Sequence, residues 1–287
     1  MDLTNINEIR QLLAKNGFHF SKSLGQNFLT AAWVPEDIAE SAGLDANTGV
    51  LEVGPGVGCL TVELAKRAGK VVAVELDKAL KPILKETLNG YDNAEVIFGD
   101  VLKLDIPALV REKFPGLRPV ICANLPYNVT SPLITAFLEA DCFDTVTVMI
   151  QREVARRICA LPNTADYGAF TLFVQWYTDA EILFDVPPSC FIPQPKVTSS
   201  VIRLKKREKH PCSVRDEALM FKVIRAAFNM RRKTLVNALA AAFGDLSKDD
   251  IEEILIKCAL DTKVRGEVLD IGSFAKIADE ISAKQTV

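Results

Sequence analysis

The sequence predicts an α/β protein, a mostly parallel seven-stranded sheet with helices on both faces followed by a small helical domain. Three observations predict it. Short β-branched segments alternate with helical periods between residues 50 and 150, the pattern that builds a parallel sheet. A glycine-dense turn, Gly54-Pro55-Gly56-Val57-Gly58, joins the first of these segments to an apolar helix opening. Beyond about Glu208 the strand signal stops and only helical periods continue. With 287 residues, 49% of them hydrophobic and 25% charged, the chain has an ordinary globular composition. That length suits one domain over 1–208 and a smaller one over 209–287.

In order, residues 5–15 carry Ile6, Ile9, Leu12 and Leu13 at helical spacing and stop at Gly17. The stretch from Phe18 to Leu29 fits neither period and reads as a connector with three buried aromatics. A short helix runs from about Pro35 to Ala42 and ends at Gly43. Strands are expected over Val50–Val53, Val71–Glu75, Glu95–Phe98, Val120–Cys122 and Thr145–Ile150. Helices fall between them, over about 58–67, 78–88, 106–113 and 132–139. Pro82 lies inside the second, so that helix starts late or bends. A helix bearing Arg152, Arg156 and Arg157 follows, then an apolar one with Phe170, Phe173, Val174 and Trp176 in the core. Strands over Glu181–Phe184 and Ser199–Leu204 flank a proline-rich loop, and helices over about 214–228, 231–243, 248–258 and 273–282 close the chain.

No apolar run reaches the roughly 18–20 residues of a membrane span, and the start, Met1-Asp2-Leu3-Thr4, has no basic region followed by an apolar core. A cytoplasmic protein is expected. Its seven cysteines are scattered without a Cys-x-x-Cys pair and read as buried thiols. With only His19 and His210 besides, no metal site is expected. Net charge is −3, yet the segment from Lys196 to Lys233 carries +9 and the remainder −12. Such asymmetry fits a face that binds a polyanion, or a solvated basic helix.

The glycine turn is the centre of the functional argument. Gly54 permits the positive φ of a tight turn after a strand, and Gly56 lets backbone approach a ligand with no Cβ between them. The backbone N–H groups and the positive helix end then attract an anionic group. The spacing is Gly-x-Gly-x-Gly, unlike the Gly-x-Gly-x-x-Gly of dinucleotide sites, and Glu52 precedes it by two residues. A carboxylate there repels a pyrophosphate but favours the ammonium of a methionine moiety, so the charges suit S-adenosylmethionine better than NAD. A turn with no ligand is the alternative for the glycines taken alone. Glu75, Asp100 and Asn124 end or follow three successive strands, at the edge where open sheets bind ligands. Glu75, 17 residues after Gly58, suits a ribose, and Asp100 can accept from an adenine amine. Either acid could instead cap a helix.

Asn124-Leu125-Pro126-Tyr127 bears the chemistry. An exocyclic adenine amine is a poor nucleophile because its lone pair is delocalised into the ring. The Asn124 side-chain oxygen and a backbone carbonyl can draw its two N–H groups and favour a pyramidal nitrogen. Pro126 stiffens the turn, and Tyr127 offers a face on which a base stacks. Phe191, in the proline-rich loop, either clamps a flipped base opposite Tyr127 or staples the loop from beneath.

These motifs, with Gln26-Asn27-Phe28-Leu29, Pro187-Pro188-Ser189-Cys190-Phe191-Ile192-Pro193-Gln194-Pro195-Lys196-Val197 and Ala227-Phe228-Asn229-Met230-Arg231-Arg232-Lys233-Thr234-Leu235, span most of the chain. Together they resemble the ribosomal RNA adenine N6-dimethyltransferases, and within them the small-subunit KsgA/RsmA family. The resemblance implies a Rossmann-like class I methyltransferase domain and a helical RNA-binding domain. It implies that Asn27, Leu29, Gly54, Glu75, Asp100 and Asn124 contact S-adenosylmethionine, which makes the connector a lid. It implies that two adjacent adenines near the 3′ end of small-subunit RNA each receive two methyl groups, on a 30S subunit or its precursor.

The candidate cofactor residues are thus Gln26, Asn27, Leu29, Glu52, Gly54, Gly56, Glu75, Leu76, Asp100, Val101 and Asn124. The catalytic candidates are Asn124, Leu125, Pro126, Tyr127 and Phe191. For RNA they are Arg152, Arg156, Arg203, Lys205, Arg231, Arg232 and Lys233, with Lys206, Arg207 and Lys209 beside them. The protein is expected to act as a monomer. Rival expectations are a large-subunit adenine methyltransferase of the macrolide-resistance type, a non-catalytic assembly factor, and an NAD-dependent oxidoreductase. The proline-rich loop and the 228–235 motif oppose the first. Intact cofactor and Asn124 motifs oppose the second, and Glu52 with the glycine spacing opposes the third.

Overall fold

Strands buried on both faces read as continuous apolar runs, which is how the central strands of this computed structural model are recognised. Residues 1–21 and 24–285 are described. The first segment contains α1 (Ile6–Lys15), β1 (Phe28–Leu29), α2 (Trp33–Ser41), β2 (Thr48–Val53), α3 (Cys59–Ala65) and β3 (Lys70–Glu75). It continues with α4 (Lys81–Thr87), β4 (Ala94–Phe98), α5 (Ile106–Lys113), β5 (Arg118–Asn124), α6 (Thr130–Glu139) and β6 (Thr145–Gln151). After α7 (Arg152–Ile158) and α8 (Ala169–Tyr177) come β7 (Thr178–Val186), β8 (Phe191–Ile192) and β9 (Ser199–Lys206).

Seven strands form one sheet in the order β4-β3-β2-β5-β6-β9-β7. Strands β2 to β6 run parallel, and β9 runs antiparallel to β6. The chain moves outward from β2 to β3 and β4, then returns to β5 on the other side of β2. That reversal opens a crevice at the carboxyl ends of β2 and β5, the place where such sheets bind ligands. Pro82 has the effect its position predicts: a 3₁₀ turn over Lys78–Leu80 comes first, and α4 begins only at Lys81. In that first turn the missing N–H of proline is one the helix leaves unbonded anyway.

Two long-range features depart from expectation. β1 pairs antiparallel with β8, Phe28 with Ile192 and Leu29 with Phe191, so the connector is tied to the proline-rich loop. Two-residue strands lie below the length at which alternation can be read. The chain also divides into two compact units, residues 1–155 with 179–206, and 156–178 with the chain from 207 onward. Residues 156–178 therefore leave the domain first drawn over 1–208. Tyr167, Leu172 and Trp176 share a core with Met220, Ile224 and Phe274, and the Tyr167 hydroxyl donates to the Leu269 carbonyl at 2.7 Å.

The second unit adds α9 (Glu217–Asn229), α10 (Leu235–Ala242), α11 (Lys248–Lys257) and α12 (Ile271–Gln285). α10 starts at Leu235 behind its cap Thr234, four residues later than expected from 231, so Arg231, Arg232 and Lys233 lie in the preceding turn. No helix of the described residues is long and apolar enough to cross a membrane.

Candidate active site

Leaving β2, the chain takes left-handed backbone at Gly54 (φ 69°) and Gly56 (φ 59°), conformations that residues with a Cβ rarely adopt. A Cβ on Gly56 would also lie 3.0 Å from the Phe28 ring. The turn presents the Gly56 N–H to Glu75 Oε2 at 3.3 Å, while the Asp77 N–H donates to Glu75 Oε1 at 2.8 Å. Glu75, at the end of β3, is thereby held by one backbone donor per oxygen, and each oxygen keeps a further lone pair for a ligand hydroxyl. Burial pushes its carboxyl up, and the two N–H groups oppose that shift.

The connector is latched across this crevice by its own amides. Gln26 Nε2 donates to Asp77 Oδ2 at 2.7 Å, and Gln26 Oε1 accepts from the Ser21 N–H at 2.9 Å. Asn27 Nδ2 donates to the Gly25 carbonyl at 3.0 Å. Asn124 Nδ2, at the end of β5, donates to the Asn27 carbonyl at 3.3 Å. That bond ties one N–H of the Asn124 amide to the connector and orients the group, with Oδ1 as its acceptor. Asp100 Oδ1 accepts from the Leu102 N–H at 3.1 Å, so it caps the 3₁₀ turn over Val101–Lys103 while also lining the crevice.

Every candidate cofactor residue lines a single cavity of about 1270 Å³, mouth included, together with Leu125, Pro126 and Tyr127. The Tyr127 hydroxyl and the buried Ser199 Oγ lie 2.5 Å apart in a hydrogen bond that fixes the ring, and burial pushes the phenol pKa up. In the cavity wall Glu52 is 1% exposed, and its Oε2 has no hydrogen-bond partner among the described residues. Burial pushes its carboxyl up to about 8, the Glu75 charge adding to this and the Thr61 hydroxyl opposing it. Sequence reasoning missed Gly25, Leu102 and Asn128 as lining residues. Gly25 (φ 64°) packs against Asn128, and its position beside Gln26 was the available signal. Leu76 and Leu102 are 53% and 42% exposed at the cavity, apolar flanks suited to an aromatic base.

Other candidates are placed differently. Phe191 is 2% exposed and packs in the core with Leu29, Val34 and Ile38, away from the cavity lining. The β1–β8 pairing turns its side chain inward, so it acts as the staple and is removed from the catalytic set. Arg203, Lys205 and Lys206 were expected beside the active edge, but β9 runs away from it. Met149 is opposite both Asn124 and Val201, whereas Lys205 is opposite Thr145, four residues down β6. At a rise of about 3.3 Å per residue that is roughly 13 Å. Arg203 is also paired with Glu181 and Lys206 with Asp141.

Arg152 does sit at the active edge, directly after β6, 3.6 Å from Asp185. In the second unit Arg207 donates to the Gln175 and Thr178 carbonyls, and Arg231 is held by Glu267 at 2.9 Å and the Thr164 carbonyl. Arg156, Lys209, Arg232 and Lys233 are exposed and have no ion pair among the described residues.

A mostly parallel sheet with antiparallel β9 beside β6, a glycine turn after its first long strand and an acid ending the next define a Rossmann-like methyltransferase. Comparison with known proteins narrows the class. The sequence matches the ribosomal RNA adenine dimethylase family over residues 17–282, and the chain belongs to that family. It is 49% identical over 273 residues to ribosomal RNA small subunit methyltransferase A of Clostridium acetobutylicum, covering 95% of this chain and 97% of that one. The protein of the same name from Geobacillus thermodenitrificans is 45% identical over 284 residues, covering 98% and 97%. Among solved structures, a dimethyladenosine transferase from Plasmodium falciparum superposes with a TM-score of 0.74 at 26% identity, covering 90% of this chain and 98% of that one. The 23S rRNA methyltransferase ErmE superposes at 0.67 and 26% identity, covering 89% and 99%.

Proposed function

We propose that this enzyme transfers methyl groups from S-adenosylmethionine to the N6 amines of two adjacent adenines near the 3′ end of small-subunit ribosomal RNA, giving N6,N6-dimethyladenosines. The observation that carries this is Asn124, which lines the cavity and whose side-chain amide is oriented by a bond to the Asn27 carbonyl, with Oδ1 available as an acceptor. The residues fit the cofactor: Gly54 and Gly56 line the cavity with backbone and no Cβ, and Glu52 Oε2 is a buried acceptor without a donor among the described residues. Glu75 would take the ribose hydroxyls, Asp100 and Val101 the adenine with Leu76 beside it, and Gly54, Glu52, Gln26, Asn27 and Leu29 the methionine end and its cover. When bound, S-adenosylmethionine supplies an electrophilic methyl on a sulfonium.

The chain's own part is positioning and polarisation. Asn124 Oδ1 accepts one N–H of the target amine. The second acceptor is the Leu125 carbonyl, because the Pro126 carbonyl already accepts from the Val129 N–H and Thr130 Oγ1, both at 3.2 Å. Drawing both N–H groups into that plane leaves the nitrogen lone pair directed out of it. Tyr127, fixed by Ser199, supplies the stacking face. Pro126 holds the turn that carries both acceptors.

The small-subunit substrate is supported by relatives at 45–49% identity that carry that name, against 26% for the large-subunit methyltransferase. The RNA contacts we assign are the exposed cations Arg156, Arg232 and Lys233, with Arg152 at the active edge. The enzyme works in the cytoplasm as a monomer on the 30S subunit or its precursor. Incubation with S-adenosylmethionine and small subunits lacking the modification, followed by nucleoside mass spectrometry with site mapping, tests the proposal. Dimethyladenosine at paired 3′-terminal adenines is the expected result. Modification of large-subunit RNA instead would transfer the assignment to the resistance class, and tight subunit binding with no methylation would favour an assembly factor.

A further inference from the structure

We propose that Glu52 is a proton-coupled anchor for the amino-acid end of the cofactor: it stands neutral in the free enzyme and releases its proton when the cofactor's ammonium enters. The inference rests on the S-adenosylmethionine reading of the cavity and adds to it a linkage that the fold alone does not imply.

The geometry begins with an acid where the sheet has no use for one. Glu52 is the fifth residue of β2, a strand buried along its length, and it lines the cavity immediately before the Gly54 turn. It is 1% exposed, and its Oε2 finds no donor. A buried carboxylate is normally paired or heavily hydrogen-bonded, because an isolated charge in such surroundings is very unfavourable. Among the described residues, the groups facing Glu52 supply no cation. From β3 comes Glu75, a second acid that raises its proton affinity, and from α3 the Thr61 hydroxyl, which lowers it. Cys59 of α3 and Cys122 of β5 feel the Glu52 charge, and burial holds both thiols protonated, that of Cys59 up to about 12. Two acids in one pocket without a counterion do not both ionise readily. The neutral form is therefore the one this pocket stabilises while no cation is present.

An ammonium delivered to the cavity end beside Gly54 reverses that preference. It gives Oε2 the donor it lacks and a charge to balance. The carboxyl loses its proton to solvent and the ammonium keeps its own, so one proton leaves for each cofactor bound. The sign follows from linkage: binding that releases a proton tightens with rising pH, by up to about tenfold per unit while the free enzyme is protonated and the complex is not. With the free carboxyl at about 8, that window covers neutral pH and closes near 8.

Isothermal calorimetry in buffers of differing ionisation enthalpy counts the protons directly, with no need for methyl transfer. Wild-type enzyme is titrated at pH 7 with S-adenosylmethionine and with S-adenosylhomocysteine, which share the ammonium, and Glu52→Gln is titrated alongside. The expected result is release of between half and one proton with either ligand on the wild type and close to none on the variant. Across pH 6 to 8 the wild-type Kd tightens at least tenfold, and that of the variant changes less than threefold. The cofactor's own amine titrates near pH 8, so the difference between the two proteins carries the assignment. Binding by the wild type with no proton released overturns the proposal even if the variant fails to fold. Equal release by both proteins also overturns it, as does release with the sulfonium compound alone. In each of these cases the cofactor reading stands, whereas no binding of either ligand to the wild type would overturn both.

Discussion

At Asn124 and Glu75, two residues in one cavity do separable work. Asn124 meets the connector through one bond, to the Asn27 carbonyl, and in the proposed mechanism its oxygen accepts from the reacting amine. Asn124→Ala should lower methyl transfer at least a hundredfold, the usual loss when a polarising group is removed, while cofactor affinity weakens only several-fold; single-turnover methylation and calorimetry measure the two. Glu75 instead gathers the Gly56 and Asp77 N–H groups at the place proposed for the ribose. Glu75→Ala should raise the cofactor Kd tenfold or more, because it removes a ligand contact and strands two backbone donors; unchanged affinity would take Glu75 out of the site. Glu52 adds a stability effect in the ligand-free enzyme. Its folded carboxyl stands at about 8, far above an unfolded glutamate at about 4.3, so the folded state binds the extra proton between those values. Stability therefore falls as pH rises from about 5 to 8. Glu52→Gln should be free of that slope. Melting temperatures of both proteins over this range check the sign.

Among the elements, the paired ends β1 and β8 decide what Phe191 does. Were it a base clamp, truncation would leave the fold intact and damage only catalysis. It is instead buried against Leu29, Val34 and Ile38, so Phe191→Ala should destabilise the protein by about 3–5 kcal/mol, read by denaturant unfolding. The core of the sheet was legible beforehand because β2, β3, β5 and β6 are largely buried and each strand is bounded by its own turn chemistry, down to the late start that Pro82 imposes on α4. The wall of the cavity was legible for a related reason, since parallel strands place residues such as Gly54, Glu75, Asp100 and Asn124 at one edge. What could not be read locally depends on long-range choices. A strand's direction leaves no mark on its alternation, so Arg203 and Lys205 were expected at the wrong edge of β9. Phe28 and Ile192 pair across more than 160 residues with two residues a side, too short for a pattern. Tyr167 and Trp176 read as core, but an apolar face does not say which core it joins.

Over the whole molecule, charge is distributed as a polyanion binder requires, with a basic segment of +9 in a chain of net −3. Much of that segment is nonetheless spent internally, Arg203 on Glu181, Arg231 on Glu267 and Arg207 on backbone carbonyls. Cations already neutralised by a carboxylate release few counterions when RNA arrives, so the salt dependence of binding should reflect the unpaired ones. In the second unit these include Arg156, Lys209, Arg232 and Lys233. Each phosphate contact contributes roughly 0.7–0.9 to the slope of log affinity against log salt. Replacing Arg232 and Lys233 together by alanine should lower the magnitude of that slope by about 1.5. Small-subunit affinity should fall with it, while the Kd for S-adenosylmethionine stays unchanged. Replacing Arg203 and Lys205, on the far edge of the sheet, should leave the slope as it was. Filter binding of unmodified small subunits at several salt concentrations separates the pairs, and a slope altered only by the Arg203 and Lys205 change would place the RNA on the opposite edge.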